Sequence, residues 1–144
     1  MNAENYYHIN QLYQRYAHAL DARDWKTLAQ CYAPDGTFTD TRGNSSQGRE
    51  AVIEHISRAI GVVGLTQHLT APPLIQEQGG KVTGTCYVIG QNAASREQNA
   101  AKCLVGARYD DELVQRGESW HLLRRKVNPL WFDGSLAVFT PPSK

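Results

Sequence analysis

Ile9, Leu12, Tyr16, Ala19 and Leu20 recur at helical spacing, which predicts an amphipathic helix over roughly the first twenty residues, ending near Asp21. Asp24 reads as the N-cap of a second helix with Trp25, Leu28, Ala29 and Tyr32 on its apolar stripe, closed by Pro34 and Gly36. A short strand is expected over Thr37 to Thr41, then a polar loop from Arg42 to Gly48. Val52, Ile56, Ala59 and Ile60 mark a third helix, which Gly61 and Gly64 end. Beyond Leu65 the period changes: β-branched and aromatic residues alternate with polar ones. Strands are predicted up to about Gln76, from Lys81 to Gln91, from Ala101 to Gln115 and from Trp120 to Pro129. Gly79-Gly80 and Arg116 to Ser119 are the tight turns, and the polar run Asn92 to Asn99 is a longer one.

Three helices followed by an antiparallel meander is α+β order. A sheet that buries one face against those helices must curve, and a curved sheet capped at one end by helices suggests a small-molecule pocket at the other. With 144 residues, 41% of them hydrophobic, the chain suits one domain, with a core over about 5–138 and a frayed tail over 139–144.

Charge and cysteine content narrow the partners. Fifteen Lys and Arg against fourteen Asp and Glu leave a net charge of +1, so no strong field gathers nucleic acid or membrane onto the surface. The N-terminus lacks the basic-then-apolar order of a signal peptide, and a cytoplasmic protein is expected. Cys31, Cys86 and Cys103 fit neither a disulfide framework nor a zinc site and read as buried thiols. No phosphate-binding glycine loop, Gly-x-Ser-x-Gly elbow or His-Glu-x-x-His is present. A metal or other cofactor is therefore not expected.

The segments Arg15-Tyr-Ala-His-Ala-Leu-Asp-Ala-Arg-Asp-Trp25 and Cys31-Tyr-Ala-Pro-Asp-Gly-Thr-Phe38 resemble the opening of SnoaL-like proteins, within the nuclear-transport-factor-2-like superfamily. Thr66-Gln-His68, Gly106-Ala-Arg-Tyr-Asp-Asp111 and the stretch from Trp120 to Gly134 carry the resemblance through the second half. It implies a cone-shaped α+β barrel with three N-terminal helices on a strongly curved, mostly antiparallel sheet enclosing a pocket. It further implies a homodimer or higher homo-oligomer. The scytalone dehydratase, bile-acid dehydratase and dehydrochlorinase branch suggests a lyase or isomerase, dehydratase-like or cyclase-like, acting on a small apolar oxygenated molecule.

In that branch an Asp closes the first helix, a His follows the third helix and an Arg lies on the last long strand; these positions resemble Asp21, His68 and Arg125. Tyr16 matches a Tyr five residues before the Asp. The implied chemistry has neutral His68 removing a proton from carbon and Asp21 fixing its tautomer. Arg125 would stabilise developing negative charge and Tyr16 would donate to a substrate oxygen. Five helical residues place Tyr16 and Asp21 about 140° apart, so both face one pocket only if the helix ends before Asp21. Arg124 and Arg125 are strand neighbours pointing to opposite faces, so one of them enters the pocket unless a bulge intervenes. Without the resemblance, Arg124-Arg125-Lys126 is a solvated strand edge and Tyr16 a core residue.

Two alternatives stay open. The ketosteroid isomerase branch places its general base at Asp40 with Tyr16 as oxyanion donor, although Ala107 stands where its second oxyanion acid would be. Other members of the fold only bind ligands or assemble. His8, His18, His55 and His121 match no partner pattern and read as surface or packing residues. The strand containing Leu104 and Arg108 shows no large apolar exposed stripe.

Overall fold

The computed structural model describes residues 1–140, so Pro141 to Lys144, the end of the expected frayed tail, lie outside the described residues. Helix α1 runs Ala3–Ala22, α2 Trp25–Gln30 and α3 Arg49–Gly61. The strands are β1 Tyr32–Thr39, β2 Ser45–Gln47, β3 Leu65–Thr70, β4 Leu74–Gln78, β5 Lys81–Ala93, β6 Lys102–Arg116 and β7 Ser119–Gly134. A 3-10 turn, Leu136–Phe139, follows.

Local signals set most boundaries. Asn2 caps α1 through Asn5 N–H at 2.8 Å, and Asp24 caps α2 by accepting from the backbone of Thr27. The buried stripe of α1, Ile9, Leu12, Tyr13, Tyr16, Ala19 and Leu20, lies against the inner face of the sheet. The strands form a curved, unclosed sheet in the order β2-β1-β7-β6-β5-β3, with β4 also paired to β5. Helices packed on this sheet make the expected α+β cone.

Several sequence expectations change. The strand expected at Thr37 begins at Tyr32 and absorbs Pro34 and Gly36; the loop before Gly48 contains β2. The sheet is not a pure meander, because β1 pairs parallel to β7. That pairing makes β7 an interior strand, so the Arg124 to Lys126 segment is not a sheet edge. On the outer face, cross-strand register brings Leu69, Ile89 and Trp131 into one row over Gly106. An exposed apolar row therefore exists, and it went unseen because each strand supplies only one member of it. All three cysteines are free and buried.

Gly64 shows how closely segments approach near the start of β3. A Cβ there would overlap the backbone carbonyl of Ala94, whose carbonyl carbon would lie 2.7 Å away. Gly64→Ala should therefore cost about 1–3 kcal/mol through overpacking against backbone, read as a lower urea midpoint at unchanged slope. A midpoint equal to wild type would contradict this account.

Candidate functional site

Asp21 occupies the last turn of α1, which ends where Arg23 adopts a left-handed conformation, φ 57°. Arg23 then folds back. Its Nη1 donates to Leu20 O at 2.9 Å and Thr66 Oγ1 at 2.7 Å, and its Nη2 donates to Val63 O at 3.0 Å. The helix end is thereby tied to the start of β3, where alternate side chains, Thr66 and His68, turn away from solvent.

The carboxylate of Asp21 is the joint between them. Oδ1 accepts from His68 Nδ1 at 2.6 Å and from Thr66 Oγ1 at 2.9 Å, while Oδ2 accepts the backbone N–H of His68 at 2.7 Å. An ionised carboxylate only accepts, so Nδ1 carries the proton and Nε2 holds the free lone pair. Nε2 has no hydrogen-bond partner among the described residues. The imidazole remains 12% exposed and the carboxylate 22%. Burial tends to raise the pKa of Asp21, but the side-chain and backbone hydrogen bonds from His68 outweigh it and hold the carboxyl below its usual range.

Gly90 lies opposite His68 in the β3–β5 register. A Cβ there would sit 3.2 Å from Nε2 and 3.3 Å from Cδ2 of the imidazole, so glycine gives the ring its seat.

Arg125 is fully buried in the centre of the core. Its Nε and Nη2 each donate to Asp111 at 2.8 Å, in a bidentate pair. The guanidinium carbon lies 3.8 Å from the Tyr109 ring centroid, 4.2 Å from that of Tyr16 and 5.0 Å from that of Tyr13. Tyr13 donates its hydroxyl to the same Asp111 carboxylate. Burial disfavours the charge on Arg125, yet Asp111 more than offsets it and raises the pKa well above the ordinary arginine value. Nη1 is buried with no partner among the described residues. Arg124 points outward toward Glu112, as strand alternation requires.

Helix α1 continues through Ala22, so it does not stop short of Asp21, and Tyr16 and Asp21 splay apart. Tyr16 joins the Arg125 cluster, where its hydroxyl meets that of Tyr32 at 3.3 Å and burial raises its pKa. Asp40 lies at the end of β1. It accepts from the backbone of Arg42 and Asn44 and, through Oδ2, from His55 Nε2 at 2.8 Å. The geometry thus joins Asp40 to His55 rather than to Tyr16, and His55 is not the unpartnered residue its sequence context suggested.

Two open hollows lie on the surface. One is lined by Gln76 to Gln78 with Lys81 and Thr83, the other by Pro34 and the segment Gln47 to Ala51. Neither includes Asp21, His68 or Arg125, so neither is the pocket expected around those residues. The heart of the cone is occupied by Arg125, Asp111 and the tyrosines. No group of metal-ligating side chains occurs among the described residues.

Sequence reasoning missed Asp111, Tyr13, Tyr109, Arg23 and Gly90. For Asp111 a signal existed: it keeps phase with Tyr109 and Leu113 on the inner face of β6. Its partner, by contrast, follows only from the β6–β7 register.

The fold and this geometry belong to a recognisable class. The model of the SnoaL-like domain matches residues 1–126, and the chain belongs to that family. No functionally curated protein matches it in sequence. Among solved structures, it is similar to a candidate aromatic ring hydroxylase of Novosphingobium aromaticivorans, at 20% identity and TM-score 0.82, covering 97% of this chain and 99% of that one. A candidate scytalone dehydratase of the same organism matches at 18% identity and TM-score 0.77, over 89% of this chain and 85% of that one. A hexachlorocyclohexane dehydrochlorinase matches at 18% identity and TM-score 0.78, over 94% of this chain and 91% of that one. At these identities the likeness establishes the shared fold.

Breaking a buried pair leaves a charge unanswered. Arg125→Met should cost about 3–5 kcal/mol, whereas Arg125→Met with Asp111→Leu should recover most of that loss in chemical denaturation. A double variant as unstable as the single one would contradict the account.

The pH dependence of Asp21 has a definite sign. Its pKa is depressed on folding, so its stabilisation is complete above the unfolded carboxylate value of about 3.9 and is lost as pH falls through the lower folded value. The stability gap between wild type and Asp21→Asn should be flat near neutrality and shrink in acid. A gap that widens in acid would reverse the assignment.

Proposed function

We propose that this SnoaL-like protein catalyses a cofactor-free elimination or isomerisation of a small, mostly apolar, oxygenated molecule, with His68 as the base. The carrying observation is the 2.6 Å contact between His68 Nδ1 and Asp21 Oδ1, which leaves Nε2 unpaired. A base needs an available lone pair and a fixed direction; Asp21 supplies the second by holding the tautomer and stabilises the imidazolium that forms. Thr66 and Arg23 act behind the pair as positioning residues, keeping the carboxylate in register with the ring. The dehydratase and dehydrochlorinase among the similar folds are consistent with proton removal coupled to loss of hydroxide or halide.

Arg125 serves this reading as an electrostatic helper. Its charge sits in a low-dielectric core, and Nη1 is the one guanidinium nitrogen not committed to Asp111. Tyr16 acts through that cluster. Asp40 as an alternative base finds less support, because its carboxylate is already engaged with His55 and a turn.

A second reading is a ligand-binding or assembly module without turnover, since the dyad lines neither of the two open surface hollows. The experiment separates the two. Candidate substrates with an acidic C–H beside a leaving hydroxyl or halide are incubated in deuterated water, and conversion and label uptake are followed. Wild-type turnover should fall about 10²–10⁴-fold in His68→Ala, with a comparable or smaller loss in Asp21→Asn. Undiminished conversion in His68→Ala would overturn the catalytic reading. Tight binding with the ligand returned unchanged would establish the second.

A further inference from the structure

A second Asp–His pair lies away from the dyad, and a serine completes it. His55 projects from α3 toward the β1–β2 hairpin, where Asp40 Oδ2 lies 2.8 Å from its Nε2 and Ser46 Oγ lies 2.8 Å from its Nδ1. The carboxylate, which only accepts, fixes the proton on Nε2. Nδ1 is then an acceptor, and the hydroxyl of Ser46 donates to it. A serine hydroxyl hydrogen-bonded to a neutral imidazole that a carboxylate orients is the arrangement that activates a nucleophile. Here the two ring nitrogens exchange their usual parts, which does not alter the proton's direction of travel.

Three further observations favour chemistry over a simple clamp. The hairpin is already closed on its other face by Thr39 Oγ1 and Ser45 Oγ at 2.7 Å, so the relay is not needed to hold the strands together. The carboxylate of Asp40 and the ring of His55 are 21% and 19% exposed, and Ser46 is half-buried, so a small molecule can reach them. The third concerns a donor. β2 is the terminal strand of the sheet, and the bonds Asp40 N–H to Asn44 O and Gly48 N–H to Gly36 O show that even-numbered residues of β2 pair with β1. By alternation the N–H of Gln47, the residue after Ser46, points off the free edge and has no strand partner, so it is a donor open to a bound molecule. The Phe38 ring, centred 5.1 Å from that of His55, provides an apolar wall beside them.

We propose that Ser46, His55 and Asp40 form a separate acyl-transfer site that cleaves small activated esters. In the first step Ser46 Oγ bonds to the acyl carbon, its proton passes to His55 Nδ1, and the bond to the leaving alcohol breaks. The alcohol departs with that proton. Water then attacks the acyl-serine, giving its proton to Nδ1, and Ser46 recovers a proton as the carboxylic acid leaves. The sum is ester plus water to acid plus alcohol, with no change of oxidation state.

The test uses the full chain and 4-nitrophenyl acetate. Release of 4-nitrophenolate is measured, and the acetylated position is mapped by peptide mass. The expected result is acetyl on Ser46 and a release rate that falls about 10²-fold in Ser46→Ala and in His55→Gln, the loss typical of removing a general base or its nucleophile. Circular dichroism of Ser46→Ala guards against unfolding, and Asp40→Asn, whose amide nitrogen would donate to Nε2 and move the ring proton to Nδ1, should lose about as much as His55→Gln. Equal release by wild type and folded Ser46→Ala would overturn the proposal. So would acetyl confined to lysines or the N-terminus.

Discussion

An arginine with no exposed surface must have its charge answered inside the fold, and much of this core is arranged to answer Arg125. Asp111 meets it from the neighbouring strand with two parallel hydrogen bonds, and Tyr13 supplies a further donor to that carboxylate. Tyr109, Tyr16 and Tyr13 present ring faces to the cation. A pair this dry gains little over an apolar pair of the same volume, because desolvation consumes most of the attraction. What it does impose is register. Only one pairing of β6 with β7 puts the two charges opposite each other, and a slip of β7 by one residue would turn Arg125 to the outer face and leave the Asp111 carboxylate inside without it. The same pair obliges α1 to offer tyrosines rather than aliphatics over the guanidinium.

The dyad depends on this frame at one remove. With the α1 stripe seated on the cluster, Asp21 leaves the helix about 140° from Tyr16 and can meet only an element passing beside the helix end. β3 is that element. Arg23 terminates the helix in a left-handed residue and spends its guanidinium on carbonyls and on Thr66, so the turn that ends α1 also locates β3. Gly90 on the next strand leaves the imidazole room. Helix termination, strand alternation and one missing Cβ together place a basic nitrogen with a single free direction.

Sequence reading found what depends on short-range pattern and lost what depends on register. The α1 stripe, the Asp24 cap and the Gly79-Gly80 turn are local, and each appears in the chain as expected. Asp21 with His68, and Arg125 on an inner face, came from resemblance to a family, since no periodicity brings residue 21 to residue 68. Parallel pairing of β1 with β7, the Asp111 partner and the row of Leu69, Ile89 and Trp131 all require knowing which strands are neighbours. The helix ends at Ala22, next to the expected stop near Asp21, but not before Asp21, as a pocket shared with Tyr16 required. Polar residues such as Asp21 and Arg23 look like a stop, whereas here they are the last turn and its cap, held by partners far away in sequence.

The chain holds two histidines oriented by aspartates, and their surroundings differ at the second ring nitrogen. His68 gives Nδ1 to Asp21 and keeps Nε2 unshared, so an incoming molecule can meet the lone pair directly, as removal of a proton from carbon requires. His55 gives Nε2 to Asp40 and already accepts from Ser46 at Nδ1, so its basicity is delivered through an oxygen. A carbon acid has no route to that nitrogen without displacing Ser46, whereas an acyl carbon needs only the oxygen. The two proposed chemistries, elimination at one pair and acyl transfer at the other, thus rest on one difference, whether the second ring nitrogen is left open.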